Sequence, residues 1–312
     1  MRKHIAALVV LPLLLATAAC GGSDSKEDSS STLPGVKVTG TFGEIPTVTA
    51  KDVTVDKAVS AESIEGDGPE IDLAKGALVH FSVFSGVDGT KIGSTLDSNQ
   101  PQQISSSGQE PIKGLNDALK GAHRGSRVVL VEDATDAVGA DVLKQLDMKD
   151  GDSLIAVTDI ISVAPADPLS GPKGTTKKQP AGTPKVVEKN GKVTGFDWKG
   201  VGAKPTKLQV ITLVEGDGPA IQANRLATFN YLGEVWKGKK PFDESYSEEP
   251  ITFPVGSGSL ISAWDQGLIG IKQGSRVMII APPDTAYGDQ KTGGIPANST
   301  LVFVLDVLGV DS

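Results

Sequence analysis

Histidine, cysteine and aromatic residues are scarce in this chain. A single cysteine, Cys20, rules out an intrachain disulfide. Three histidines, His4, His80 and His123, with that one cysteine are too few for a Cys/His zinc site, and they argue against a histidine-dependent triad. No metal or other cofactor is expected. Basic residues are outnumbered, 30 Lys and Arg against 38 Asp and Glu, for a net charge of −8. A nucleic-acid binder would show a basic face, so no nucleic-acid partner is expected. Long apolar runs are missing too. Residues 5–19 form a run of 15 broken by Pro12, short of the roughly 20 that a membrane-spanning helix needs. Nothing after Cys20 has the length or apolarity of a span. Only 14 residues are aromatic, and nine of them follow residue 200. What is plentiful is turn chemistry: 37 glycines, above the usual share of about 7 %, and 19 prolines. At about 100–200 residues per domain, 312 residues suggest two domains, or three with short tails.

The first residues read as an address. Arg2, Lys3 and His4 precede an apolar run of signal-peptide size. The run ends Leu15-Ala16-Thr17-Ala18-Ala19-Cys20. Small residues directly before the sole cysteine resemble a bacterial lipoprotein signal, although Thr17 stands where that pattern prefers leucine. The resemblance implies removal of residues 1–19 and a diacylglyceryl thioether on Cys20. Two or more acyl chains anchor a protein stably. The expected location is the extracytoplasmic face of the cell membrane, with the membrane as a partner through the lipid. Ordinary secretion with an incidental cysteine is the alternative. Residues 20–35 begin as a Gly/Ser/Asp stretch that cannot bury a core and read as a flexible tether.

The remaining chain is one unit written twice. Glu65-Gly66-Asp67-Gly68-Pro69 returns 150 residues later as Glu215-Gly216-Asp217-Gly218-Pro219. Gly125-Ser126-Arg127 returns as Gly274-Ser275-Arg276, and Lys37-Val38-Thr39-Gly40 as Lys192-Val193-Thr194-Gly195. Leu154, Asp159 and Val163 match Leu301, Asp306 and Val310. A period near 150 is too long for a solenoid and fits tandem globular domains, here 36–165 and 184–312. The Pro/Gly/Thr/Lys-rich segment between them, 166–183, reads as a solvated, partly extended linker. Asn190-Gly191 marks a tight hairpin, because both residues accept positive φ.

Each unit reads mostly as strand. Residues 227–232, 276–280 and 301–308 are strand candidates, and the last is apolar and β-branched enough to be central. Leu260, Trp264 and Leu268, with Ile261 beside them, make one apolar helical face that Ser259 or Ser262 could cap. The expected class is α+β: two tandem domains, each an antiparallel sheet curved around a short helix.

The second unit carries Asn230-Tyr231-Leu232-Gly233, Phe242-Asp243-Glu244-Ser245 and Ile261-Ser262-Ala263-Trp264-Asp265-Gln266-Gly267-Leu268. It continues with Lys272-Gln273-Gly274-Ser275-Arg276, Ala286-Tyr287-Gly288, Ile295-Pro296 and Leu301-Val302-Phe303. In this order and spacing the motifs, over about residues 208–310, resemble FKBP-type peptidyl-prolyl cis-trans isomerases. The resemblance implies a pocket for the proline ring. Trp264 is its expected floor; Tyr231, Phe242, Leu260, Ile261 and Phe303 are its walls. The Ile261 N–H and the Tyr287 hydroxyl would hold substrate carbonyls. Asp243 would orient the amide, and Ile295 would overhang the mouth. Ile251 stands where many members carry an aromatic and is expected to narrow a wall. The implied partners are proline-containing polypeptides, with macrolides as inhibitors, and the implied task is folding of exported proteins.

In the first unit the same alignment places Leu115 at Trp264, Val138 at Tyr287, Ala156 at Phe303 and Phe81 at Tyr231. Ile92-Gly93 falls at Phe242-Asp243. That copy is expected to keep the fold without useful isomerase activity, and His80 and His123 to be packing or surface residues. A non-catalytic chaperone or adaptor that grips proline-containing segments remains the rival reading. A solute-binding lipoprotein is disfavoured, because such proteins need larger α/β lobes.

Overall fold

The computed structural model describes residues 33–146 and 148–311. The expected signal segment, Cys20 and most of the tether lie outside the described residues. The first half runs β1 (Val36–Thr39), β2 (Thr47–Ala50), β3 (Val59–Ile64), β4 (Ala77–Ser85), β5 (Lys91–Ser94), β6 (Gln102–Ile104) and α1 (Leu115–Ala118), then β7 (Arg127–Asp133), α2 (Ala134–Val138), α3 (Ala140–Gln145) and β8 (Ser153–Val163). The second runs β9 (Gly174–Thr176), β10 (Lys185–Lys189), β11 (Lys192–Asp197), β12 (Gln209–Gly216), β13 (Arg225–Val235), β14 (Asp243–Glu244) and β15 (Ile251–Val255), then α4 (Ser262–Gly267), β16 (Arg276–Ala281) and β17 (Leu301–Val310). The architecture is mixed, with antiparallel sheets and few short helices. Among the described residues no helix is long and apolar enough to cross a membrane.

The two halves build sheets of the same connectivity. The first is ordered β3-β7-β8-β4, with β5 and β6 both on β4; the second is β12-β16-β17-β13, with β14 and β15 both on β13. Even the irregularities repeat. A register shift at Leu78/Val79 of β4 returns at Thr228/Phe229 of β13, and one at Glu62/Ile64 of β3 returns at Thr212/Val214 of β12. The repeated Glu-Gly-Asp-Gly-Pro string has a steric reason. A Cβ at Gly66 would lie 2.5 Å from the Arg124 carbonyl oxygen, and one at Gly216 2.1 Å from that of Gln273. In each copy the glycine N–H donates to a serine hydroxyl, Ser126 or Ser275.

Both faces of each sheet are covered, so the central strands β8 and β17 are almost wholly buried. Leu301, Phe303 and Leu305 point to the helix side, and Val302 and Val304 to the other. That other face is closed by a hairpin: β1–β2 in the first half, β10–β11 in the second. Asn190 and Gly191 take φ of 54° and 77°, as the Asn-Gly pair implies. Below each hairpin sits a buried bidentate ion pair. Arg127 Nε and Nη2 reach Asp159 at 2.6 and 2.8 Å. Arg276 reaches Asp306 at 2.5 and 2.8 Å, and also pairs with Glu188 of β10. Two parallel bonds per pair compensate the desolvation of both charges.

The helix is shorter than its apolar spacing suggests. It spans six residues, with Ile261 at the N-cap and no side-chain cap; Leu260 precedes it and Leu268 closes it. Neither Ser259 nor Ser262 caps it. Ser259 Oγ is hydrogen-bonded to Ser257 and Ser262 Oγ to Gln266.

The segment between the sheets is docked. Gly174–Thr176 pairs with β12 as an edge strand, and Leu169 N–H donates to Leu308 O. The sheets themselves meet around Asp311. Its carboxylate accepts from Arg124 Nη1 at 2.7 Å, Ser162 Oγ at 2.6 Å and Val163 N at 3.2 Å. Leu226 N–H donates to Ser162 Oγ at 2.8 Å, beside a small apolar seam of Leu78, Ala164 and Leu226.

Candidate active site

The helix side of the second sheet opens into a cavity of about 550 Å³. Trp264 forms its centre. Four aromatic rings surround the indole: Tyr231 at 5.3 Å, Phe303 at 5.3 Å, Phe253 at 5.9 Å and Phe229 at 6.3 Å between centroids. Three of these contacts are edge-to-face, the arrangement that ring quadrupoles favour. Phe242 meets Phe303 edge-on at 5.8 Å and continues the wall. That junction depends on Gly233, directly opposite Phe303 and Asp243 across the sheet. A Cβ there would lie 2.6 Å from the Phe242 ring and 2.8 Å from that of Phe303.

The polar groups are few and placed at the rim. The Tyr231 hydroxyl donates to Asp243 Oδ2 at 2.6 Å. Burial first, and then this bond to a carboxylate, push the Tyr231 phenol well above its ordinary range, so it stays a donor. The bond fixes the orientation of an otherwise exposed carboxylate. The Ile261 N–H finds no acceptor among the described residues. Tyr287, 36 % exposed, follows the 3₁₀ turn Pro283–Thr285 and stands at the opening.

Of the expected site residues, Tyr231, Phe242, Asp243, Leu260, Ile261, Trp264, Tyr287 and Phe303 all line this cavity. Ile295 does not. It is 4 % exposed and packs into the core, because Gly293 and Gly294 fold residues 292–295 into a tight turn that tucks its side chain inward. Ile251 is likewise outside the lining; it sits half-turned to solvent at the start of β15. Phe253, two residues on, supplies the wall instead. Alternation along β15 was the available signal for it. Ser259, Ser262 and Ala286 complete the lining, each next to a residue already singled out.

Residues 218–308 match the family pattern described as FKBP-type peptidyl-prolyl cis-trans isomerase. An FK506-binding protein of Streptomyces anulatus is 39% identical over 112 residues, which cover 35% of this chain and 90% of that protein. The chain belongs to the FKBP-type peptidyl-prolyl cis-trans isomerase family. FK506-binding protein 1A of Neurospora crassa is 46% identical over 106 residues, 33% of this chain and 88% of that one. The FKBP-type isomerase FkpA of Escherichia coli (strain K12) is 38% identical over 113 residues, 36% of this chain but only 41% of FkpA. The FKBP likeness is thus carried by the half that holds the aromatic cavity.

The first half treats the same places differently. Val83 stands opposite Ala156 and Gly93, where β13 sets Gly233 opposite Phe303 and Asp243. Leu115 and Ala156 are buried in a continuous core with Ala137 and Leu143, against which Val138 and Met148 also pack. His80 is a buried packing residue whose Nδ1 lies 3.0 Å from Thr95 Oγ1.

Proposed function

We propose that this chain is a lipid-anchored prolyl isomerase that helps exported proteins fold at the extracytoplasmic face of the membrane, with catalysis confined to the second of two tandem FKBP-like domains. One observation carries the catalytic part: an aromatic cavity floored by Trp264, with a Tyr231–Asp243 pair at its rim. Rotation about an X–Pro bond faces a barrier of about 18–20 kcal/mol, set by amide resonance. Twisting the bond breaks that resonance and makes the amide less polar. A dry aromatic wall therefore favours the twisted form over the planar one, which is differential binding of the transition state. In this reading the proline ring rests on Trp264 between Tyr231, Phe253 and Phe303. The Ile261 N–H and the Tyr287 hydroxyl hold flanking carbonyls. Asp243, held by Tyr231, orients the rotating amide.

Confinement to the second domain rests on the absence, at the matching places of the first, of a tryptophan, a carboxylate and an open aromatic wall. The anchor rests on the run before Cys20 alone. Exchange of an X–Pro peptide measured with the full chain tests the catalytic reading. Acceleration is expected to fall about a hundredfold in Trp264→Ala and about tenfold in Asp243→Ala, or roughly 2.7 and 1.4 kcal/mol of barrier. Peptide binding without acceleration by the native chain would support the adaptor reading instead. Incorporation of a labelled fatty acid, lost in Cys20→Ala, tests the anchor; a freely secreted, unlabelled protein would overturn it.

A further inference from the structure

Glu132 is the next-to-last residue of β7 and only 7 % exposed. Its Oε2 is buried and has no hydrogen-bond partner among the described residues. An unpaired buried carboxylate is costly unless a donor or a cation reaches it. Burial accordingly lifts its pKa above the ordinary carboxylate range. The group borders a cavity of about 420 Å³ between α1 and the edge strand β3, whose walls include Ser60, Glu110, Lys113, Gly114 and Asp117. Gly114 keeps the carboxylate reachable. Its φ is +82°, and an added Cβ would stand 3.1 Å from Glu132 Oε2.

We propose that this cavity binds a basic side chain, lysine or arginine, of a polypeptide held against the first domain. Three carboxylates, Glu110, Asp117 and Glu132, face one ammonium, that of Lys113. Lys113 leans outward toward Asp136, 3.8 Å away on α2, with both side chains largely in solvent. Glu110 already accepts the Gly114 N–H at 2.8 Å, and Asp117 is paired with Lys120 at 2.6 Å. The oxygen left wanting is the one on Glu132. A metal ion is poorly served here, since these three carboxylates do not converge: among the described residues no group of three or more His, Cys, Asp or Glu is placed to hold one. Acidic side chains continue along α1: a neighbouring cavity of about 730 Å³ shares Glu110 and Asp117 and adds Glu70 and Asp72, with Lys120 paired to Asp117 on its wall. It gives the chain around an anchored basic residue somewhere to lie.

The second domain shows what the site would be without this function. Ala281 and Ala263 occupy the places of Glu132 and Gly114, and both are fully buried. Methyl groups fill the space and no charge is spent there. The inference concerns the first domain and does not depend on the isomerase reading of the second.

The test is an NMR titration of the full chain with the end-blocked peptide Gly-Gly-Lys-Gly-Gly, and in parallel with its norleucine counterpart. Saturable amide shifts at Ser60, Gly114 and Glu132 are expected with the lysine peptide and not with norleucine. Glu132→Gln, isosteric and uncharged, is expected to weaken binding about tenfold, in line with loss of a hydrogen bond to a charged group, with proline-peptide turnover unchanged. Asp117→Asn, on the exposed wall, provides a second variant that leaves the core intact, with a weakening of about threefold expected. Equal shifts from the norleucine peptide, or unchanged affinity in both variants, would overturn the proposal. So would n-butylammonium binding as tightly as the peptide, or saturation by Ca²⁺ or Mg²⁺ alone.

Discussion

Where β13 carries Gly233, β4 carries Val83, and around that one exchange the two halves diverge. Gly233 leaves room for the rings of Phe303 and Phe242 to meet edge-on, and the rings in turn wall a cavity. Val83 faces Ala156 and Gly93, so the bulk sits on the middle strand and the neighbours are small. In both cases the interior is filled by buried apolar side chains, as close packing demands. What changes is who supplies the volume. In the second half large rings supply it from the margins and leave an opening; in the first, aliphatic groups and the extra helices α2 and α3 supply it and leave a solid core. The comparison teaches that one strand order can hold two different interiors, because the buried Arg–Asp pairs, the close-approach glycines and the strand order are separable from the pocket rings.

The shared framework offers the largest handle on this comparison. Arg127→Met and Arg276→Met each strand a buried aspartate and are each expected to cost about 3–5 kcal/mol, read by denaturant unfolding. A loss below about 1 kcal/mol in one of them would mean that the two pairs are not equivalent supports. Next, Gly233→Val imports the first half's packing into the second. Overpacking is expected to cost about 1–3 kcal/mol and to close the cavity, with isomerase activity lost; Val83→Gly should leave activity untouched. Unchanged turnover in Gly233→Val would sever the link between ring geometry and catalysis.

Asp311→Asn addresses the junction. Its carboxylate joins donors from the first sheet to the end of the second, and weakening it is expected to cost about 1–2 kcal/mol. Calorimetry should then resolve two transitions where the native chain gives one. A single transition in the variant would mean that the apolar seam and the docked linker suffice to couple the halves. The smallest effect concerns His80, whose second-half counterpart is Asn230. Burial holds the His80 pKa below its ordinary 6.5. The unfolded chain therefore binds more protons than the folded one as the pH falls through that value, and stability drops with it. His80→Asn is expected to flatten this slope below neutral pH; an unchanged slope would assign it to other groups.

The repeated strings pointed to one unit written twice, and the continuous apolar, β-branched run 301–308 was enough to mark a central strand. The site was equally legible in most of its parts, because Tyr231, Phe242, Asp243, Trp264, Tyr287 and Phe303 stand in motifs whose order survives without coordinates. Ile251 and Ile295 fall outside the lining, and Phe253, which was not singled out, falls inside it, for a common reason. Whether a side chain on a strand start or a tight loop faces a cavity or the core depends on turn geometry that residue type does not encode. The helix was overextended because Leu260 and Leu268 keep apolar spacing on either side of it, while backbone bonds end it within six residues.

Composition and motif order alone thus gave strings that recur about 150 residues apart and a second half rich in aromatics. Tertiary structure decided the rest. Only in three dimensions does Gly233 become the space between two rings, does Asp311 bind the two sheets together, and does Glu132 come to rest with one oxygen buried and without a hydrogen-bond partner among the described residues. Each of these depends on how residues distant in the chain are brought together. Local pattern records which face a residue turns inward, but not what it meets there.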